Sequence, residues 1–284
     1  MSLQRYYASL SRFQDLARRA GHDTGQREMT VHRRLLAPDG RPSGTVVHER
    51  LLDVLAAACP LPSAPRVLDA GCGLGGTTFF LSRVVGGEYC GITLSPTQRD
   101  RAEREARRRG AIGCRFAVRS YDEPLDDLLP EGVDLVVAIE SLAHAPDPGA
   151  TVGRLAAHLR PGGRLAVVDD MPADALPLDD PDFAAFRRGW LCPAVAPASA
   201  LRRAFAEAGA PVAAEVDLTA LVPARRPGSL AWRLQLSSVG RRLPVPASVA
   251  VLVESLHGGL ALERLYQRGV VDYRMLIGVR PGPL

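Results

Sequence analysis

Apolar positions at three- and four-residue steps open the chain. Leu3, Tyr6, Tyr7, Leu10, Phe13, Leu16, Ala17 and Ala20 predict an amphipathic helix that Gly21 ends. The stretch to Gly44 is polar and turn-rich, with Pro38-Asp39-Gly40 and Pro42. A helical pattern resumes over Val46–Cys59 and stops at Pro60 and Pro62. From there strand and helix alternate: strand Arg66–Ala70, helix Gly76–Val85, strand Tyr89–Leu94, helix Pro96–Arg109, strand Cys114–Arg119 and, after a break, strand Asp134–Ile139, helix Pro148–Leu159 and strand Arg164–Asp169. That order predicts an α/β architecture with a parallel, doubly wound sheet. Asp147 ahead of Pro148 has the form of an N-cap before a first-turn proline, and Pro161-Gly162-Gly163 is expected to close that helix.

Residues 171–197 break the rhythm. Pro172, Pro177, Pro181, Pro193 and Pro197 surround Phe183, Phe186 and Trp190, and the stretch is read as a cap inserted over the carboxyl edge of the sheet. A helix at Ser199–Ala208, a strand near Val212–Val222, a long helix at about Ala247–Arg268 and a last strand at Val271–Val279 follow. The last strand is placed to add a seventh, antiparallel member. The segment 223–246, with Trp232 and several arginines, shows no period that decides its state.

Composition narrows the class. At 284 residues, 46% of them hydrophobic and 23% charged, the chain is long enough for a sizeable core. No apolar run approaches the roughly 18 residues a membrane helix needs. No h-region follows the N-terminus, so a cytoplasmic protein is expected. Cys59, Cys72, Cys90, Cys114 and Cys192 are scattered singly, which speaks against structural zinc and a disulfide framework. All 35 basic residues are arginine. The run Arg99–Arg109 carries Glu103 and Glu105 four residues before Arg107 and Arg109, a helix-surface pairing. No aromatic residue accompanies it, so no nucleic-acid partner is expected.

The chemistry gathers at Val67-Leu68-Asp69-Ala70-Gly71-Cys72-Gly73-Leu74-Gly75-Gly76. Gly71, Gly73 and Gly76 form G-x-G-x-x-G between a strand and a helix, where backbone can approach a ligand at a helix N-terminus. A nicotinamide dinucleotide site wants an acid at the end of the second strand. Here that strand ends Gly91-Ile92-Thr93-Leu94-Ser95 with no acid. Asp69 stands before the first glycine instead, where a carboxylate can attract an ammonium group.

With Ser95-Pro96-Thr97-Gln98 after the second strand and Ile139-Glu140-Ser141-Leu142-Ala143-His144 after the fourth, residues 45–170 resemble the class I S-adenosylmethionine-dependent small-molecule methyltransferases. More narrowly they resemble the branch holding cyclopropane fatty acid synthases, tocopherol methyltransferases and bacterial natural-product methyltransferases. The resemblance implies a Rossmann-like domain at 61–284 with an N-terminal helical lid at 1–60. It implies S-adenosyl-L-methionine as cofactor, with Asp69, Gly71, Cys72 and Gly73 at the methionine part, Thr93, Leu94 and Gln98 at the ribose, Ser120 and Tyr121 at the adenine, and Glu140 near the methionine end. Ser120 takes the place of the acid more usual in the adenine loop. Ser95 and Gln98 also have the spacing of a capping box, which accounts for both without a ligand, and Cys72 reads as a small loop residue.

On the acceptor side, Glu140 and His144 are the candidate catalytic groups. A histidine near neutral pKa suits a general base, and His144 has the alternative of packing under the cap or bonding a backbone carbonyl. Asp169, Asp170, Asp174, Asp179, Asp180 and Asp182 either serve as oxygen ligands for Mg²⁺ or, the commoner case, cap turns and face solvent; no metal is assigned. Arg187 and Arg188 have the options of clamping an anion or lying on a solvated face. His32, Arg33, His48 and Glu49 are given no role beyond lining. The expectation is methyl transfer to an O, N or C atom of a small, secondary-metabolite acceptor. The alternatives are cyclisation or rearrangement on the same fold, or C-methylation of an isoprenoid alkene or diphosphate, with Trp190, Tyr6 and Tyr7 as π faces. A homodimer is left open.

Overall fold

The computed structural model describes residues 29–223 and 247–282. The helix expected at 3–20, Tyr6, Tyr7, Trp232 and nearly all of 223–246 lie outside them. A short hairpin, β1 (Leu35–Leu36) with β2 (Pro42–Ser43), precedes helix α1 (Val46–Ala58). The sheet comprises β3 (Arg66–Ala70), β4 (Glu88–Thr93), β5 (Cys114–Val118), β6 (Val133–Ile139), β7 (Leu159–Pro172), β8 (Val212–Asp217) and β9 (Val271–Val279), in the order β5-β4-β3-β6-β7-β9-β8. Strands β3 to β7 pair in parallel, and β9 runs antiparallel between β7 and β8. This is a seven-stranded Rossmann-like sheet. Chain order reverses between β3 and β6, and an α/β sheet opens a ligand crevice at such a point.

The strands at the centre are buried on both faces, and β6, Val-Asp-Leu-Val-Val-Ala-Ile, is accordingly an almost unbroken apolar run. Helices α2 (Gly76–Val85), α3 (Pro96–Arg109), α4 (Pro148–Ala157), α5 (Pro181–Trp190), α6 (Ala198–Glu207) and α7 (Ala247–Gln267) complete the set. One apolar layer joins α1 and α2 to one sheet face, a second joins α4 and α6 to the other, and a third lies between α5 and α7. Asp147 caps α4 by accepting from the Ala150 N–H.

The largest departures from expectation are at α4, β7 and β8. Helix α4 ends at Ala157 rather than Leu159, and Pro161-Gly162-Gly163 does not close it but lies within β7. There the register to β6 jumps from Leu159 to Arg164, and Gly162 and Gly163 bond the backbone of Arg280 beyond β9. Partners supplied by a distant strand turned a local stop signal into a bulge. β8 stops at Asp217, because Leu218 donates to the Tyr273 carbonyl and Asp217 accepts from the Thr219 N–H, starting a single 3₁₀ turn.

Among the described residues no helix is long and apolar enough to cross a membrane. The described basic run on α3 is a surface of ion pairs, Glu105 with Arg108 and Arg109 and Glu103 with Arg107.

Candidate active site

The loop after β3 is shaped by left-handed backbone at Gly71, Gly73 and Gly75, with φ of +90°, +54° and +87°. Side chains are also excluded by neighbours: a Cβ on Gly71 would collide with Ser141, and one on Gly73 would lie 2.6 Å from Val31 Cγ2. The Gly71 and Cys72 N–H groups donate to the Ile92 carbonyl at 3.0 and 2.9 Å, which ties the loop to the end of β4. Gly76, the third glycine of the pattern, starts α2. Asp69 Oδ2 accepts from the Thr78 N–H at 3.2 Å and the Thr78 hydroxyl at 2.7 Å, placing a carboxylate at the positive end of α2. Burial pushes its pKa up to about 6, against the pull of the Thr78 bonds. Burial likewise raises the Cys72 thiol well above its ordinary range, so it is no thiolate nucleophile.

At the end of β4, Thr93 donates from Oγ1 to Gln98 Oε1 at 2.7 Å and accepts from the Ser95 N–H. Ser95 caps α3 by accepting from the Gln98 N–H at 3.3 Å. Only half of the capping box forms, since the Gln98 side chain goes to Thr93. After β5, Ser120 Oγ accepts from the Asp122 N–H, and the Tyr121 hydroxyl donates to the Ser141 carbonyl at 2.9 Å.

Glu140 follows β6 in a left-handed conformation, φ +49°. Its Oε1 accepts from the Arg33 N–H at 2.8 Å and from the Tyr273 hydroxyl at 2.9 Å. His144 sits on the 3₁₀ turn Leu142–His144, and its Nδ1 lies 3.1 Å from the Leu191 carbonyl oxygen. A carbonyl only accepts, so Nδ1 carries the hydrogen and Nε2 is the basic nitrogen. Burial holds the ring's pKa below its ordinary value, partly opposed by the Leu191 bond and the Glu140 charge.

The two acids at the end of β7 do not face solvent or cap turns. Pairing with β9 continues to Pro172 and buries both. Asp169 accepts from the N–H groups of Ala143 and Asp170, each at 3.0 Å. Asp170 takes Arg33 Nη2 at 3.0 and 3.1 Å and the Tyr266 hydroxyl. Asp180 does cap α5. Arg187 bonds the Pro193 carbonyl and lies over the Phe183 ring, while Arg188 is exposed.

One cavity of about 550 Å³ gathers Asp69, Gly71, Cys72, Gly73, Thr93, Leu94, Gln98, Ser120, Tyr121, Glu140 and His144. Arg187 and Arg188 do not line it. His48 and Glu49 do not line it, Glu49 being exposed on α1, whereas the strap Met29–Arg34 runs along it. Within the strap, the Thr30 hydroxyl is buried without a hydrogen-bond partner among the described residues. Sequence reasoning passed over Thr30 and Val31 and gave Arg33 no specific task, because this aperiodic stretch carries no signal of its own. Tyr273 had one: it is an inward position of the alternating strand β9.

Residues 68–165 match the methyltransferase domain family. This stretch is a methyltransferase domain. Over 105 residues the chain is 39% identical to a chloroplastic tocopherol O-methyltransferase of Arabidopsis thaliana, covering 36% of this chain and 29% of that protein. It thus spans less than a third of that relative's length. Over 209 residues it is 29% identical to an O-methyltransferase of Penicillium expansum, covering 72% of each. Its fold is that of a putative sarcosine dimethylglycine methyltransferase from Galdieria sulphuraria, with a TM-score of 0.71 at 18% identity over 90% of this chain and 94% of that one.

Proposed function

We propose that this chain transfers a methyl group from S-adenosylmethionine to an O, N or C atom of a small-molecule acceptor in natural-product metabolism. One observation carries the reading: a single cavity joins the glycine loop, the ends of β4 and β5 and the His144 turn, so cofactor and acceptor share one space. The residues fit the cofactor. The loop's glycines bring bare backbone to the cavity, the buried Thr30 hydroxyl lacks a partner, and the carboxylates Asp69 and Glu140 suit a molecule bearing ammonium and sulfonium charges. Asp69, Gly71, Cys72 and Gly73 would hold its methionine part, Thr93, Leu94 and Gln98 the ribose, and Ser120 and Tyr121 the adenine. When bound, it supplies an electrophilic methyl group for in-line displacement.

The chain's own task is to hold the acceptor and take its proton. His144 suits the second task, since it lines the cavity and its Nδ1–H is fixed on Leu191, which makes Nε2 the basic nitrogen. With its pKa below 6.5, the ring is neutral at pH 7. Turnover limited by this base is therefore level above about pH 7 and falls as pH drops through the depressed pKa.

The test follows S-adenosylhomocysteine release by mass spectrometry while a panel of hydroxyl- and amine-bearing acceptors is offered. His144→Ala should lower kcat about 10²-fold or more with S-adenosylhomocysteine affinity within about twofold of the parent; an unchanged kcat removes His144 from the reaction. Acceptor conversion with no S-adenosylhomocysteine formed would overturn methyl transfer in favour of cyclisation or rearrangement.

A further inference from the structure

Resting on that reading, we infer that the acceptor end of the cavity takes an uncharged, largely apolar molecule and rejects phosphorylated or carboxylated ones. Phe186, Trp190, Cys192, Gly259 and Leu262 wall this end. The wall is held in place: the Trp190 indole N–H donates to the Ser255 carbonyl at 3.1 Å, and Phe186 meets the indole at 66° with ring centroids 5.5 Å apart. Gly259 lies against the indole, leaving room a side chain would fill. A flat apolar body packs well on such a surface.

The charged groups decide the class. The cavity lining holds the carboxylates Asp69, Glu140, Asp169, Asp170 and Glu263 against the guanidinium groups of Arg33, Arg34 and Arg119. Recognition of phosphate or carboxylate wants an arginine with its donor fork presented to the ligand. Arg33 has its fork turned to carboxylates of the chain itself. Its Nη2 is engaged by both oxygens of Asp170, its Nε makes no hydrogen bond among the described residues but faces Glu140 Oε1 at 3.9 Å, and the rings of Tyr266 and Tyr273 stand 4.9 and 5.3 Å from its Cζ. Arg119 pairs with Asp127 after β5, on the side assigned to the cofactor, and Arg34 makes a contact of its own.

A divalent cation bridging to a phosphate has no seat here either. The oxygens of Asp169 and Asp170 already take N–H and O–H donors. Among the described residues no three His, Cys, Asp or Glu side chains are grouped for a metal. An anion entering this chamber would meet the carboxylates of Glu140 and Asp170, which share the one Arg33 guanidinium between them, and a further negative charge beside them is disfavoured.

The test is equilibrium binding by calorimetry to the full chain saturated with S-adenosylhomocysteine, using 1-naphthol, 1-naphthyl phosphate and 1-naphthoate as probes. We expect saturable 1-naphthol binding and affinities on the order of tenfold or more weaker for both anions. Asp170→Asn releases Arg33, and it should bring 1-naphthyl phosphate affinity up about tenfold while leaving 1-naphthol within about twofold. If that variant fails to fold, Glu263→Gln, which removes another lining carboxylate, should narrow the gap between phosphate and naphthol. Anions that bind the parent as tightly as 1-naphthol overturn the inference, and so does failure of all three to bind. S-adenosylhomocysteine binding is measured first: its absence sinks the methyl-transfer reading alone, and the probes then report on the chamber of the unliganded chain.

Discussion

At Asp69 one side chain serves two ends with opposing energies. The carboxylate is buried at 3% exposure, and its pKa rises from 3.8 to about 6. A raised acid contributes stability at low pH and loses it as pH climbs through about 6, so at pH 7.5 the ionised group costs on the order of 3 kcal/mol against a solvated one. Asp69→Asn keeps an oxygen for Thr78 without that charge. The variant should melt at a higher temperature than the parent at pH 7.5, by less at pH 5, and should bind S-adenosylhomocysteine at least about tenfold more weakly. A thermal melt at both pH values with calorimetry at pH 7.5 checks this; unchanged melting and binding would refute both halves. The position of Asp69 before the first glycine was legible in the sequence. Its bonds to Thr78 were not, because they depend on where α2 begins relative to the loop. Arg33 was legible only as a lining residue, since its partners Glu140 and Asp170 stand 107 and 137 residues away.

Elements were readable where their signals are local. β3, β4 and β5 and the helices between them follow from period, an N-cap serine at Ser95 and an αL glycine at Gly110. Elements defined by a distant partner were misjudged at their ends: β7 and β8 take their lengths from β9. The crossing of α5 and α7 belongs to the same class, because its close approach depends on Gly189 meeting Gly258 in space. A Cβ on Gly189 would strike the Glu254 carbonyl oxygen and lie 2.7 Å from Gly258 Cα, and neither backbone atom can rotate away. Gly189→Ala should therefore force the helices apart at a cost of about 1–3 kcal/mol. Because Trp190 is the next residue and Gly259 lies against its indole, the acceptor wall should shift with them. We expect a lower melting temperature and a larger loss in acceptor KM than in S-adenosylhomocysteine affinity; an unperturbed melt would show that the crossing yields without strain.

On the scale of the whole molecule, the strap and α1 are joined to the glycine-loop helix through His48. Its Nε2 lies 3.2 Å from His32 Nε2 and 3.0 Å from Thr77 Oγ1, and the ring packs against Phe80. His32 Nδ1 faces the Arg33 carbonyl and so carries a hydrogen, which makes its Nε2 the acceptor and His48 Nε2 the donor. A second proton on either ring would set hydrogen against hydrogen or demand a donor from buried His48 Nδ1, which has no partner among the described residues. Burial, with the His32 charge adding to it, holds the His48 pKa well below 6.5. The sign follows: with the folded pKa depressed, the unfolded chain takes the proton first, so this contribution is intact above pH 6.5 and is lost as pH falls below it. At pH 5.5 the unfolded chain holds this proton and the folded ring resists it, so His48 disfavours the folded state there. Raised acids such as Asp69 act in the opposite direction, so the measurement has to be differential. Urea unfolding of the parent and of His48→Gln at pH 7.5 and 5.5 isolates the term, because contributions shared by both proteins cancel. The parent should lose more stability than the variant over that interval. Equal losses would mean that His48 accepts its proton in the folded chain, and that the junction between strap and loop tolerates charge.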